Sequence, residues 1–145
     1  MRFGSRRLSP AILGCAVVVL ACRPRAPGAS ATDSVVLRTD KAHYRAGEKM
    51  TLTLENRGGS SYTFNPCTRT LERQEGSSWT ALPDEGRMCT MEAWMLDARG
   101  TKSGPTELPA SITPGRYRVL VRLTQERTDA SGAPVVATSD PITIS

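Results

Sequence analysis

The sequence predicts an all-β fold, an antiparallel β-sandwich of about seven to nine strands. From Asp33 onward, short runs alternate between apolar and polar residues, and turn residues separate these runs about every 8–12 residues. No long stretch of this region has the 3.6-residue period of an amphipathic helix. Residues 33–145 are enough chain for one domain with a modest core. A small barrel is the structural alternative to the sandwich.

The first half of this domain is predicted to hold three strands and a hairpin. The hydrophobic face is clearest in the third run, where Met50, Leu52 and Leu54 alternate with polar residues. Gly47 supplies a positive φ to the turn before that run, and Pro66 ends the following one because it lacks an N–H. The first predicted strand is 34–39, which continues after a jog through 40–44. The others are 49–56 and 61–65, and the hairpin joins 68–73 to 78–82.

The second half is predicted to be dominated by one long strand, 116–125. Its inward positions hold Tyr117, Val119, Val121 and Leu123, while Arg116, Arg118 and Arg122 form a solvated outer face. Tyr117 follows a Pro-Gly turn, at the position of a tyrosine corner, with a plain core aromatic as the alternative. The other expectations are a strand in 88–96, a polar flexible stretch at 98–104, an extended edge at 106–112, a loop at 129–134 and a last strand at 135–145.

The segment before the domain has the pattern of an export signal. Three arginines, Arg2, Arg6 and Arg7, precede an apolar run at 11–21. That run is shorter than the roughly 20 residues that a membrane-spanning helix needs. It ends in Val-Leu-Ala-Cys22, which resembles a bacterial lipobox, and this resemblance implies that Cys22 receives lipid. An ordinary signal peptide cut near 29–31 is the alternative, and Cys15 is the weaker lipidation position.

This resemblance predicts three regions: a signal peptide at 1–21, a lipidated flexible stem at 22–32 and the domain at 33–145. We expect the protein in the bacterial cell envelope, tethered to the membrane through its N-terminal lipid. Arg23 follows the cysteine where an aspartate would, in some bacteria, retain a lipoprotein at the inner membrane. An arginine at this position favours the outer membrane, with the domain facing the periplasm or the cell surface.

The formal charge of +5 belongs to the N-terminal region. All fourteen acidic residues lie between Asp33 and Asp140, and five of the nineteen basic ones precede Asp33. The domain therefore carries equal numbers of both signs and has no basic face with interleaved aromatics, so we expect no nucleic-acid partner.

Cys67 and Cys89 form an even pair within the domain. In an exported chain such a pair predicts a disulfide. A metal or redox pair is the alternative, but the chain has no C-x-x-C motif, and His43 is its single histidine. We therefore expect no metal and no cofactor.

The domain resembles a family of bacterial Ig-like domains found in exported proteins and lipoproteins. The resemblance rests on the pattern Asp-Lys-x-x-Tyr-x-x-Gly-Glu-x-x-Thr-Leu-Thr-Leu-x-Asn at 40–56, on Asn-Pro-Cys at 65–67, on Arg-Met-Cys at 87–89 and on Ile-Thr-Pro-Gly-Arg-Tyr-Arg at 112–118. It implies an immunoglobulin-like sandwich with the two cysteines bridged, acting as an accessory or surface module. The opening at 44–56 also resembles the bacterial intracellular proteinase inhibitor family, so an exported protease inhibitor is the alternative function.

Nucleotide-binding, metalloprotease and nucleophile-elbow motifs are absent from the chain, and we expect a non-enzymatic binding or structural module. Trp79 and Trp94 are expected in the core, with sugar stacking as the alternative. The segment between the two cysteines is the predicted binding loop, because a bridge would lower its ordering cost. Its candidate residues are Arg69, Trp79, Asp84, Glu85 and Arg87, and the expected partner is an envelope protein or a polysaccharide.

Overall fold

A computed structural model describes residues 34–83, 87–126 and 134–145, which form an all-β sandwich as predicted. A 3-10 turn lies at Pro66–Thr68, and the described part of the chain contains no helix with the length and hydropathy to cross a membrane. The strands are β1 (Val35–Thr39), β2 (His43–Tyr44), β3 (Lys49–Asn56), β4 (Tyr62–Phe64), β5 (Thr70–Glu75), β6 (Ser78–Ala81), β7 (Trp94–Leu96), β8 (Thr101–Glu107), β9 (Gly115–Gln125), β10 (Pro134–Thr138) and β11 (Ile142–Ile144).

Two sheets make up the sandwich. The smaller sheet has the order β1-β3-β8, and all its pairings are antiparallel. The larger sheet is built around β9, which pairs with β4, β5, β10 and β11 along different parts of its length. Outside these strands, β6 continues the sheet from β5, β7 from β4 and β2 from β11.

Strand β9 supplies the centre of the core, as its alternation predicts. Tyr117, Val119, Val121 and Leu123 are all 2% exposed or less. The Tyr117 hydroxyl donates a hydrogen bond to the carbonyl of Thr113 at 2.7 Å. This bond closes the turn before β9 and confirms the predicted tyrosine corner.

The chain changes sheets between β1 and β2. Strand β1 pairs with β3 in the smaller sheet, whereas β2 runs parallel to β11 in the larger one. The carboxylate of Asp40 accepts hydrogen bonds from the Thr51 backbone N–H at 2.6 Å and from the Tyr44 hydroxyl at 2.8 Å. The hydroxyl in turn accepts from the Lys41 backbone N–H at 2.8 Å. These bonds fix the backbone where it passes from one sheet to the other, at the edge of the core.

Ionisation in this crossover follows from its hydrogen bonds. The backbone N–H of Thr51 lowers the pKa of Asp40, and the Tyr44 hydroxyl adds to that effect. Burial, and then the hydrogen bond to Asp40, raise the pKa of Tyr44 to about 12. Beside them, Lys41 lies 2.5 Å from Glu48, which lowers the pKa of that carboxyl.

Asn56 organises the opposite end of β3. It is 1% exposed, and its amide donates to the carbonyls of Ser60 at 2.7 Å and Asp97 at 2.8 Å. Its side-chain oxygen accepts from the Gly58 N–H at 3.0 Å. These three hydrogen bonds satisfy a buried amide. They also join two loops whose carbonyls would otherwise lack partners.

The predictions of a flexible stretch at 98–104 and of an extended edge at 106–112 were wrong in their bounds. Strand β8 begins at Thr101 and pairs with β3 through Glu107, with Gly104 opposite Leu52. It lies at the edge of its sheet, where polar residues and Pro105 are tolerated because the outward N–H row needs no partner. Its sequence therefore lacks the alternation of buried apolar residues that would have predicted a strand.

Three further expectations need correction. Of the predicted strand at 88–96, only Trp94–Leu96 pairs in a sheet, while 87–93 carries no regular structure. The predicted strand at 135–145 is two strands, because Pro141 lacks an N–H and the Ser139 hydroxyl accepts the Val119 N–H at 3.0 Å. These breaks, with the one between β1 and β2, raise the count of described strands to eleven. The expected loop at 129–134 lies almost wholly outside the described residues.

Substituting Asp40 by asparagine tests the crossover. Because the folded state lowers the pKa of Asp40, its stabilising effect is full above the unfolded value of about 3.9 and is lost as pH falls through the folded pKa. We expect Asp40→Asn to lower the free energy of unfolding at pH 7 by about 1 kcal/mol. The gap should narrow as the pH falls below the unfolded value of about 3.9 and Asp40 takes up a proton.

Urea denaturation between pH 7 and pH 2 measures this gap. Asp140→Asn makes the same change at an exposed position and is the control. Parallel curves for wild type and Asp40→Asn at every pH would contradict the role assigned to the carboxylate.

Candidate functional site

A disulfide between Cys67 and Cys89 fixes the segment that follows β4, as predicted. The two Cα atoms are 5.5 Å apart, and 22 positions separate the cysteines in the chain. Asn65 reinforces the bridge from both sides. Its side-chain oxygen accepts from the Cys67 N–H at 2.9 Å, and its amide donates to the Thr90 carbonyl at 2.6 Å. The Asn-Pro-Cys motif is therefore one structural unit.

An open groove of about 800 Å³ lies beside the disulfide. Its floor is apolar and belongs to the core, with Leu108, Ile112 and Tyr117 as buried members and Leu71 partly buried. Its walls are the start of β5, the segment around Cys89, and the connection between β8 and β9 at 108–113. The groove therefore joins three segments that are far apart in the sequence.

Two arginines line the charged side of this groove. One Arg69 guanidinium nitrogen donates to the carbonyl of Glu107 at 2.7 Å, which links the disulfide segment to the end of β8. The guanidinium of Arg87 donates to the carbonyl of Arg69 at 3.2 Å. An apolar floor with a few polar groups at the rim is the usual composition of a binding cleft.

The structure brings together only part of the predicted binding loop. Arg69 and Arg87 both line the groove, while Asp84 and Glu85 lie outside the described residues. Trp79 does not line the groove. It pairs with Gln74 on β5, and it faces the outer side of the sheet, whereas Leu71 of the same hairpin faces inward.

Trp79 was also expected in the core, and this expectation was wrong. The indole lies 4.5 Å from the Arg118 guanidinium, as a cation–π pair on the outer face of the larger sheet. Arg118 also bonds to the carboxylate of Glu72 at 2.6 Å. The predicted solvated arginine face is thus partly a cross-strand cluster. Trp94 does pack against the core, with its ring 6.2 Å from that of Phe64.

A second unusual feature begins at the disulfide. The segment Met88–Met95, called here the methionine segment, holds three exposed methionines: Met88, Met91 and Met95. The cluster is visible in the sequence, but a search for alternating strands assigns these residues to a strand and so misses their exposure.

Among the described residues, the single histidine does not line the groove. His43 is exposed on β2. Within the part of the chain that the structure describes, no three His, Cys, Asp or Glu side chains converge in a way that could hold a metal ion. Cys22 and the apolar run before it lie outside the described residues.

The fold and the bridged cysteines define an Ig-like β-sandwich. The chain belongs to the bacterial Ig-like domain family, whose profile matches residues 31–133. The tyrosine corner and the crossover at Asp40 fall within that match.

Comparison with solved structures finds similar chains at low sequence identity. The X-ray structure of Northeast Structural Genomics Consortium target SoR45 aligns with a TM-score of 0.50 and 14% identity, over 77% of this chain and 85% of that one. PapD-like domain 7 of human CEP192 aligns with a TM-score of 0.40 and 14% identity, over 93% and 96% of the two chains. At such identities the first likeness shows the fold alone. No curated protein sequence matches this chain significantly.

Replacing both cysteines by serine, in Cys67→Ser/Cys89→Ser, tests what the bridge contributes. We expect the free energy of unfolding to fall by about 3 kcal/mol, because the unfolded chain is no longer constrained by a closed loop. Urea denaturation of the oxidised protein and of the variant measures the difference. A reducing agent should produce the same loss in the wild type and none in the variant. Equal stability of oxidised wild type and variant would show that the bridge leaves folding energetics unchanged.

Proposed function

We propose that this protein is an exported lipoprotein of the bacterial cell envelope whose Ig-like domain acts, without catalysis, as a binding module. The observation that carries the proposal is the Cys67–Cys89 disulfide at the wall of the groove. Disulfides persist in oxidising compartments outside the cytoplasm, which agrees with the signal-like segment at 1–21. The same bridge holds one wall of the groove rigid, so little entropy is lost when a partner binds.

The anchor is proposed at Cys22. After removal of residues 1–21, lipid on this cysteine would hold the domain at the membrane through the stem at 22–32. More than one acyl chain gives stable attachment. The stem is rich in Pro, Ala, Gly and Ser, a composition typical of a flexible spacer. The Arg at position 23 favours the outer membrane, with the domain facing the periplasm or the surface.

Matched cysteine variants test the anchor in a bacterial host. We expect the wild type and Cys15→Ser to fractionate with membranes and to incorporate a labelled fatty acid. Cys22→Ser should lose the label, because the acceptor thiol is gone. Intact mass spectrometry should place the mature N-terminus at Cys22. Labelling that survives Cys22→Ser, or is lost in Cys15→Ser, would contradict this anchor.

The groove is the proposed binding surface, and an envelope protein or a polysaccharide is the proposed partner. Its apolar floor suits aliphatic or sugar-ring faces, and two arginines are among the polar groups at its rim. Trp79 lies on the opposite side of the β5–β6 hairpin and takes no part in this surface.

Site-specific photo-crosslinking in living cells tests the groove. A photo-reactive amino acid at Ser111, an exposed position on the groove wall, should capture an envelope component. The same residue at Ala81, exposed on the outer face of β6, is the control and should capture nothing. Protease sensitivity of the adduct identifies a protein partner, and glycosidase sensitivity identifies a polysaccharide. Equal capture at both positions, or none at Ser111, would contradict a partner in the groove.

An exported protease inhibitor is the second proposal. This proposal is supported by the exposed segment 88–93. The segment has no regular structure, and the disulfide holds it at Cys89. An exposed segment held by a disulfide can enter a protease cleft with a smaller loss of entropy than a free loop. Incubation with a panel of serine and cysteine proteases separates the proposals. Tight inhibition with slow cleavage supports the inhibitor, whereas rapid cleavage or no effect excludes it for the enzymes tested.

A further inference from the structure

Methionines are unevenly distributed over this chain. Three of its five methionines lie within eight residues, and Met50 is buried in the core at 1% exposure. The side chains of Met88, Met91 and Met95 are 94%, 102% and 51% exposed. Throughout the described residues, every exposed large hydrophobic side chain is one of these three.

The three exposed hydrophobic residues share a sulfur atom, and their apolar area alone does not explain why they are all methionines. A docking face chosen for its apolar area would include other large aliphatic or aromatic residues. In the described residues no leucine, isoleucine or phenylalanine is exposed. Every exposed large hydrophobic side chain in the described residues therefore carries a thioether, a soft and polarisable donor.

The backbone of the methionine segment is fixed at both ends and forms no strand pairing between them. At one end Cys89 is bridged to Cys67, and at the other Met95 lies on β7 opposite Thr63. Since Leu96 and Trp94 face the core, Met95 faces the outer side of the sheet. The connecting residues form no strand pairing, so they can adjust around a ligand.

The spacing of the three methionines along the chain allows their sulfurs to approach one ion. Met91 is three residues from Met88 and four from Met95, so its Cα atom lies at most roughly 10–14 Å from each of theirs. Each unbranched methionine side chain has three rotatable bonds, so its sulfur can turn toward a shared centre. We propose that the methionine segment binds a soft monovalent metal ion, Cu(I) or Ag(I), through the thioethers of Met88, Met91 and Met95.

The donor set determines which metals bind. Neutral thioethers select Cu(I), whereas Mg²⁺ and Ca²⁺ require oxygen donors and Zn²⁺ prefers imidazole and thiolate. Glu92 is the sole charged residue in the segment, so the site has little attraction for a divalent ion. The metal binds and leaves as Cu(I), and no electron is transferred.

Competition with a chromogenic Cu(I) chelator tests the proposal on the full-length chain. Cys15→Ser and Cys22→Ser are introduced so that no free thiol remains, the protein is kept in mild detergent, and ascorbate keeps copper reduced. Intact mass spectrometry checks that the Cys67–Cys89 bridge survives, since reduced cysteines would bind copper themselves. We expect one equivalent of Cu(I) to be withdrawn from the chelator, Ag(I) to compete for it, and Zn²⁺ to have no effect.

Methionine-to-leucine variants locate the site. Met88→Leu and Met91→Leu remove a sulfur from a fully exposed position, so they should fold normally and weaken Cu(I) binding by roughly tenfold or more each. The triple variant with Met95→Leu should not withdraw copper. Met50→Leu makes the same change in the core and should leave the affinity unchanged. Absence of Cu(I) binding by the parent chain, or equal binding by the triple variant, would overturn the proposal and leave an apolar contact surface as the explanation.

Discussion

Burial of one face of β9 is the constraint on which the rest of the molecule depends. Its inward side chains fill the space between the sheets, and its two edges carry β4, β5, β10 and β11. Because side chains alternate strictly along a strand, a register shift of one residue would place four apolar groups in water and three arginines in the core. The tyrosine corner at Tyr117 adds a hydrogen bond from the start of this strand to the turn before it.

The polar residues of the family pattern serve this packing from the ends of the sandwich. Asp40 holds the chain where it leaves one sheet for the other, and Asn56 joins the loops at the far end of β3. Each satisfies backbone groups that a sharp change of direction leaves without a ladder partner. The groove and the methionine segment both lie outside these fixed points.

The candidate site was only half predictable. Cysteine pairing and export pattern predict a rigid segment at Cys67–Cys89, and the structure places Arg69 and Arg87 of that segment on a groove. Sequence proximity suggested that Trp79 would join them, but a hairpin sends alternate residues to opposite faces, and Trp79 pairs with Arg118 instead. The third wall comes from 108–113, which no local pattern connects to the disulfide.

Local sequence patterns predicted the fold class, the long buried strand, the hairpin and the disulfide, because each depends on local alternation, turn residues or cysteine pairing. Tertiary structure alone decided the pairing of polar β8 with β3, the division of the last strand at Ser139, and the exposure of the methionines. These features depend on which neighbour supplies a hydrogen bond or covers a side chain. Such neighbours lie far away in the sequence and become adjacent only when the two sheets pack.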